Sequence, residues 1–412
     1  MMNKRILFVC QFFYPEYISS ATLPYDMALH FTERGYTVGV LCGYPKEYAD
    51  GAKVPNTECI NNICIHRIKY LQSKRNNIIG RVINYFSFSF GILCNFWRFN
   101  NYEIIYVFSN PPMLPAIVAL IKRLYAFCMI FVSYDVYPEL AEVSGTIKKE
   151  GIISKFMNYC NSIVFRETDW IVAICEDMKQ YFIKHRCVDA EKVISIPNWH
   201  EDIGLVEKKK RADTHLFKEY AEDDFIVSYL GNMGTCQDMK TVMDCVKKTL
   251  LNKKIKYIFA GHGNKFDKIK QDIAEQDLIN AQCFSYLKGE DFKEVLSISD
   301  CYIVSLIDGL CGLCAPSKTQ SYLMQGRPVI CIMDRDSEIA QDIIDSGSGY
   351  VFQNYDSDSM GKSIQELIDS NVVYQEKSNH ARSLFFNKYE KAICLNKHLE
   401  LLADCAKETC SW

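Results

Sequence analysis

Lys318 follows Pro316-Ser317 where a loop enters a helical pattern over 319–325 that stops at Gly326-Arg327-Pro328. A helix start, a lysine and a serine hydroxyl together suit a diphosphate: dipole, point charge and hydrogen bond converge. The same triplet also describes a capped helix with a solvated lysine. Glycines cluster at the ends of three strand-like runs: Gly231-Asn232-Met233-Gly234, Gly261-His262-Gly263-Asn264, and Gly309 with Gly312. Each permits a tight turn or close approach of backbone to a ligand. Three at successive strand ends of one sheet imply a shared, nucleotide-sized crevice. In the first half, Tyr14-Pro15-Glu16 leads to Ser19-Ser20-Ala21-Thr22, small residues before a helix whose amides could hold an anion or simply be capped. Asp135-Val136-Tyr137-Pro138-Glu139 puts two carboxylates beyond another strand, for acid/base or hydroxyl-binding work or as a solvated pair flanking a turn proline. Asp334-Arg335-Asp336 has the DxD form, and Cys311 and Cys314 form a lone CxxC without a second pair or a suitably spaced His. No metal is expected at either.

The elements that must position these residues alternate. Short apolar runs at 5–10, 37–42, 63–68, 104–109, 129–135, 170–174 and 193–197 are separated by helical patterns. So are those at 225–230, 256–260, 301–306, 328–333 and 350–353. Near-continuous apolar strands spaced by helices predict parallel sheets covered on both faces, with ligands beyond the strands' carboxyl ends. The charged, weakly patterned 204–224 predicts a linker or exposed helix. The chain therefore divides into a first domain over 1–203, that linker, a second domain over 225–385, and a C-terminal helix over 386–412 that can pack back on the first domain. No G-x-G-x-x-G follows the first strand, which counts against a dinucleotide-dependent oxidoreductase.

The 412 residues carry 47 Lys+Arg against 50 Asp+Glu, 49% hydrophobic residues and 19 cysteines. That balance excludes disorder and gives no global pull toward nucleic acid. The apolar run after Met-Met-Asn-Lys-Arg is short and ends without a small-residue cleavage site, so a buried first strand is expected rather than a signal peptide. Cysteines such as Cys10, Cys42, Cys128, Cys175 and Cys331 then act as small reduced hydrophobes in a cytoplasmic protein. Between Glu58 and Glu103 there is no acidic residue, while Arg67, Lys69, Lys74, Arg75, Arg81 and Arg98 are basic. Within that window, 78–97 is rich in Ile, Phe, Leu and Trp, including Phe88 and Trp97, yet polar residues interrupt it. It predicts an interfacial helix on anionic lipid, or else a core helix with incidental charge.

Taken in order, these landmarks resemble the retaining glycosyltransferases of family 4, and among them bacterial capsule and O-antigen sugar transferases. The series is Tyr14-Pro15-Glu16, Ser109-Asn110-Pro111-Pro112, Asp135-Val136-Tyr137-Pro138-Glu139 and Ile196-Pro197-Asn198-Trp199 in the first half. In the second it is Gly231-Asn232-Met233-Gly234, Gly261-His262-Gly263, Pro316-Ser317-Lys318, Gly326-Arg327-Pro328-Val329-Ile330 and Ser337-Glu338-Ile339-Ala340. The resemblance implies a GT-B fold: two Rossmann-like doubly wound α/β domains facing across a cleft. It implies a nucleotide-sugar donor on the second domain, a polyprenyl-diphosphate-linked saccharide acceptor on the first, and attachment to the inner face of the cytoplasmic membrane. No cofactor or metal is implied. Gly231, Asn232, Gly234, Ser317, Lys318 and Ser321 would meet the donor. Gly261, His262, Gly263, Ser285 and Tyr286 would frame base and ribose. Glu338 would lie near the donor, Glu16 and Asp135 near the reacting sugar or acceptor, and Ser19, Ser20 and Glu139 on the acceptor side.

The chain also departs from the family. Two glutamates eight positions apart are usual before the Gly-x-Pro turn, and here those positions hold Leu313 and Ser321. Asn232 and neutral neighbours stand where basic residues often hold the diphosphate, and Ser19-Ser20-Ala21 replaces a glycine-rich first loop. A nucleotide-sugar epimerase of the same fold, or a non-catalytic nucleotide-sugar-binding scaffold, are the alternative readings. The first would need paired carboxylates and no membrane face; the second draws only on the missing glutamates.

Overall fold

The computed structural model describes residues 4–45, 49, 51, 53–73 and 78–408. The first domain is one eight-stranded sheet. Its strands are β1 (Arg5–Cys10), β2 (Thr37–Gly43), β3 (Thr57–Ile60), β4 (Ile63–Ile68), β5 (Ile104–Phe108), β6 (Cys128–Ser133), β7 (Trp170–Ala173) and β8 (Val193–Ser195). They lie in the order β3-β4-β2-β1-β5-β6-β7-β8, parallel except for the antiparallel β3–β4 hairpin. The second domain holds β9 (Phe225–Asn232), β10 (Ile255–His262), β11 (Ala281–Phe284), β12 (Cys301–Ser305), β13 (Val329–Ile332) and β14 (Gly349–Phe352). Its order, β11-β10-β9-β12-β13-β14, is parallel throughout. In both sheets the order reverses beside the first strand, at β1/β5 and β9/β12, and that switch opens a crevice beyond the carboxyl ends. The predicted doubly wound pair of domains is present. The β3 edge strand and β11 were not among the expected strands.

The central strands are buried on both faces, as their unbroken Val, Ile, Phe and Cys runs require. Ten of the cysteines are buried, including all five singled out as core residues, and none of those described is in a disulfide. The C-terminal helix Lys391–Glu408 crosses back onto the first domain, where Cys394, Leu395, Leu401, Leu402 and Cys405 join the β1–β5 core. His398 on this helix is buried against the rings of Tyr106 and Trp199, and desolvation pushes its pKa down to about 3.

One expectation is sharpened and another corrected. The 204–224 segment, exposed at most of its positions, is nevertheless pinned along the second domain. Lys208 reaches Asp300 at 2.7 Å, the His215 N–H donates to Glu294 at 2.7 Å, and Arg211 and Phe217 are buried against the second domain. Its charges are the counter-ions of Asp300 and Glu294, which sequence periodicity does not reveal. The helix Ile78–Leu93 is apolar toward both core and surface: Phe88 and Ile92 are fully buried, whereas Val82, Ile83, Phe86, Phe90 and Leu93, with Phe96 and Trp97 in the turn after it, are exposed. Phe88 is therefore core, because it packs edge-on to Tyr70 beneath the helix. Arg67 also leaves the basic face, since its buried guanidinium pairs with Glu58 at 2.5 Å. Lys74 and Arg75 lie outside the described residues. Among the described residues no helix is long and apolar enough to cross a membrane.

Candidate active site

The loops after β9 and β12 meet at the second domain's switch point and face the loops after β1 and β6 of the first. Between them lies a cleft of about 1040 Å³. Its second-domain wall includes Gly231, Asn232, Gly234, His262, Tyr286, Ser317, Lys318 and Ser321; its first-domain wall includes Tyr17, Ser19, Asp135, Ser144 and His200.

Lys318 opens the helix Lys318–Met324. Its side chain is half-buried as a whole, but its Nζ end has no solvent contact and no hydrogen-bond partner. The amine instead sits 3.7 Å from the centre of the Tyr229 ring, and burial pushes its pKa down to about 7. Beneath it the Tyr322 hydroxyl donates to the Leu230 carbonyl and accepts from the Leu230 N–H, both at 2.9 Å, and stacks on Tyr302 at 4.3 Å. This floor supplies the amine with no anion. An amine so placed can pair with an anion that enters the cleft.

The glycines divide by role. Gly231 has φ +119 and the Lys318 amine lies 3.8 Å from where its Cβ would stand, so backbone and lysine line the same corner. Gly261 pairs in register with Gly231, and a Cβ there would fall 1.9 Å from the Gly231 carbonyl. A Cβ on Gly263 would fall 2.4 Å from the Met233 carbonyl. The resemblance puts these two at the base; neither lines the cleft, and both let the end of β10 and the turn after it lie against the loop that does. Ser285 is likewise absent from the cleft wall, while Tyr286 packs edge-on to His262 at 5.5 Å.

Asp135 lines the cleft from the first domain. No ion pair or hydrogen bond to its carboxylate occurs among the described residues, and desolvation alone pushes its pKa up to about 6. Its backbone bridges to Cys314, and the Val136 N–H donates to the Leu313 carbonyl at 2.8 Å, so one strand-like contact joins the domains. Ser19, at the start of the helix Ser19–Glu33, faces the cleft; Ser20 does not.

Three carboxylates are placed elsewhere. Glu16 is buried near Cys10 and Cys42, at the ends of β1 and β2, and is not part of the cleft wall. Glu139 pairs with Arg186 at 2.5 Å and lines a separate interdomain hollow with Glu142, Lys155 and Tyr181. Glu338 accepts from the Glu176 N–H across the domain boundary and pairs with Lys388 at 2.5 Å. Each is held by a partner or position that a strand-end motif cannot disclose. Cys175, Asp177 and Glu338 offer donor atoms within 4.8 Å of one another, but Asp177 already accepts from the Gly312 N–H at 2.8 Å, so the group is an interdomain clasp.

The sequence left Tyr17, Ser144, His200 and Asp177 unassigned. Tyr17 stacks on Tyr286 across the cleft mouth at 6.1 Å and 24°, with Lys288 4.1 Å above it. Its position beside Tyr14-Pro15-Glu16 was the only available signal.

Comparison with known proteins agrees with this architecture. Residues 20–201 match the model for Glycosyltransferase Family 4, and residues 212–383 that for Glycosyl transferases group 1. The chain is similar to a probable glycosyltransferase, WbjE, of Pseudomonas aeruginosa, with 22% identity over 80% of this chain and 82% of that protein. In fold it is similar to sucrose-phosphate synthase from Thermosynechococcus elongatus (TM-score 0.74, 13% identity, covering 98% and 100% of the two chains). It is also similar to Anabaena HepE in complex with UDP-glucose (TM-score 0.70, 12% identity, covering 97% and 100%). With one model on each domain and the two sheets facing across the cleft, the chain belongs to the GT-B glycosyltransferases of the family 4 type.

Proposed function

We propose that this glycosyltransferase moves a hexosyl or N-acetylhexosaminyl group from a nucleotide-sugar to a saccharide carried on polyprenyl diphosphate, in the assembly of a capsule or O-antigen. The observation that carries this reading is the Lys318 amine: buried, unpartnered and at the cleft wall beside Gly231. A diphosphate entering there would recharge the lysine and meet the Ser317 hydroxyl, which gives the leaving group its electrostatic support without a metal ion. HepE, of like fold, is described with UDP-glucose, which favours a nucleoside-diphosphate donor here. Asp135 faces the same cleft from the acceptor side. In this reading the acceptor attacks from the face the nucleotide leaves, so the configuration is retained, and Asp135 orients the reacting hydroxyl or takes its proton.

The acceptor's lipid fits the outer surface of the first domain. Phe86, Phe90, Leu93 and Trp97 recur on one exposed face of Ile78–Leu93 and the turn after it, with Lys69 exposed nearby in sequence. A second exposed apolar set, Ile152, Ile153, Phe156 and Tyr159, lies on the helix Ile152–Glu167 with exposed Lys148, Lys149 and Lys155. Exposed apolar side chains with lysines near them in sequence suit peripheral binding to anionic lipid at the cytoplasmic leaflet. The test is incubation with labelled nucleotide-sugars and membrane lipid extract. Labelled glycolipid is expected; an altered free nucleotide-sugar with no glycolipid would replace this reading with epimerisation.

A further inference from the structure

The β3–β4 hairpin turns through Asn61 and Asn62, both with positive φ (49° and 62°). That is the two-residue turn whose twist matches the flanking strands, and it makes Ile60 and Ile63 the closing hydrogen-bonded pair. The next pair out, Cys59 and Cys64, is then a non-hydrogen-bonded pair, where facing side chains stand closest. Their Sγ atoms lie 2.7 Å apart, inside ordinary sulfur contact and outside the ~2.05 Å of a bonded disulfide. Cys59 is exposed on the sheet edge and Cys64 half-buried beside it, whereas the cysteines of the central strands β1, β2, β6, β12 and β13 are sealed in the core. Turn, register and exposure therefore converge on one accessible pair of thiols.

We propose that Cys59 and Cys64 are an oxidisable dithiol that closes to an intramolecular disulfide by exchange with a small-molecule disulfide. One thiolate attacks the oxidant and forms a mixed disulfide, releasing one thiol. The second thiolate displaces the other half, so the pair loses two electrons and two protons while the oxidant becomes two thiols. Because the second step is intramolecular between facing residues, it outcompetes renewed attack by the small thiol. The neighbouring Glu58 holds Arg67, whose Nη2 donates to the Tyr14 carbonyl at 2.9 Å, so the bridge forms next to the support of the loop that carries Tyr17 to the cleft.

The test exposes the whole reduced protein to graded mixtures of oxidised and reduced glutathione, followed by acid quenching and peptide mass mapping. Cys94 and Cys187, exposed in other parts of the first domain, serve as internal references. The peptide containing Cys59 and Cys64 is expected to lose two hydrogens, while Cys94 and Cys187 each gain one glutathione. In Cys59→Ser, and separately in Cys64→Ser, the two-hydrogen loss disappears, with an unchanged melting profile in reductant. Glutathione retained on Cys59 of the native protein without the internal bridge would overturn the proposal. So would both thiols remaining reduced where Cys94 and Cys187 are fully modified.

Discussion

A lysine buried for a ligand it has not yet met destabilises the protein that carries it, and Lys318→Met tests this. The Lys318 pKa falls from 10.5 to about 7 because its Nζ is desolvated without an anion nearby. At ~1.36 kcal/mol per unit that shift is a penalty of about 5 kcal/mol as a ceiling, present in full below about pH 7. Between pH 7 and 10.5 the unfolded chain holds the proton and the folded one does not. Stability contributed by this group therefore rises with pH across that window. Water entering the open cleft lowers the ceiling, and replacements of buried charge by apolar groups recover roughly 1–4 kcal/mol.

Lys318→Met keeps the stem against Tyr229 and removes the charge. The free variant should melt several degrees above the native protein at pH 7, with the gap closing toward pH 10. The native protein should gain stability from uridine diphosphate or a nucleotide-sugar, and the variant should gain almost none. A second readout is independent of folding. Binding a diphosphate recharges the amine, so donor affinity should be flat below pH 7 and fall up to tenfold per unit above it, with proton uptake measurable by calorimetry in buffers of different ionisation enthalpy. A variant that melts lower than the native protein, or that is still stabilised by the nucleotide, would refute the reasoning.

Further outcomes are expected at the other side chains. Asp135→Asn should lower turnover by roughly 10²–10⁴ while leaving nucleotide affinity near native, measured by glycolipid formation and thermal shift. In the native protein, activity should rise as pH passes about 6, where this carboxyl loses its proton. Glu338→Gln should leave donor affinity unchanged and lower thermal stability, because its oxygens serve Lys388 and the Glu176 N–H; weakened donor binding would return Glu338 to the site. The pair Phe90→Ser and Trp97→Ser should release the protein from anionic vesicles in flotation assays without lowering the melting temperature. Phe88→Ser, fully buried, should destabilise it by about 3–5 kcal/mol.

The alternating architecture was legible because strands covered on both faces must be apolar at nearly every position, as in β1, β5 and β6. The edge strand β3 was not, since its residues alternate between exposed and half-buried and carry no such run. The phase of Ile78–Leu93 was hidden for the opposite reason. A helix apolar nearly all round has no face that periodicity can mark, and only packing against Tyr70 and Ile68 separates Phe88 from Phe90. In the site, Gly231 and Asp135 were legible because they stand at or just beyond strand ends that topology sends to the cleft, and Lys318 because Pro316-Ser317 marks a helix start. Tyr17, Asp177 and the true place of Glu338 depend on how one domain lies against the other, which no local spacing records.

The missing pair of glutamates and the position of Asp135 are connected through one backbone contact. Leu313 stands where the family's pattern has the first glutamate, and its carbonyl is taken by the Val136 N–H. Gly312, at φ +74, lies against the Asp177 backbone so closely that a Cβ would fall 3.0 Å from the Asp177 carbonyl. The segment 311–314, the lone CxxC of the sequence, thus joins the domains. The same contact pairs Cys314 with Asp135 and so fixes that carboxylate in the cleft wall. If Asp135 takes part in the reaction as proposed, the site depends on this contact between the domains. Substitutions that loosen the contact without touching either reacting group, such as Asp177→Ala, should therefore lower turnover far more than nucleotide affinity. Lys318 and Gly231 both belong to the second domain, so in the proposed reading nucleotide affinity is expected to survive loss of the contact. Equal losses in the two measurements would show that closure and catalysis are not linked in this way.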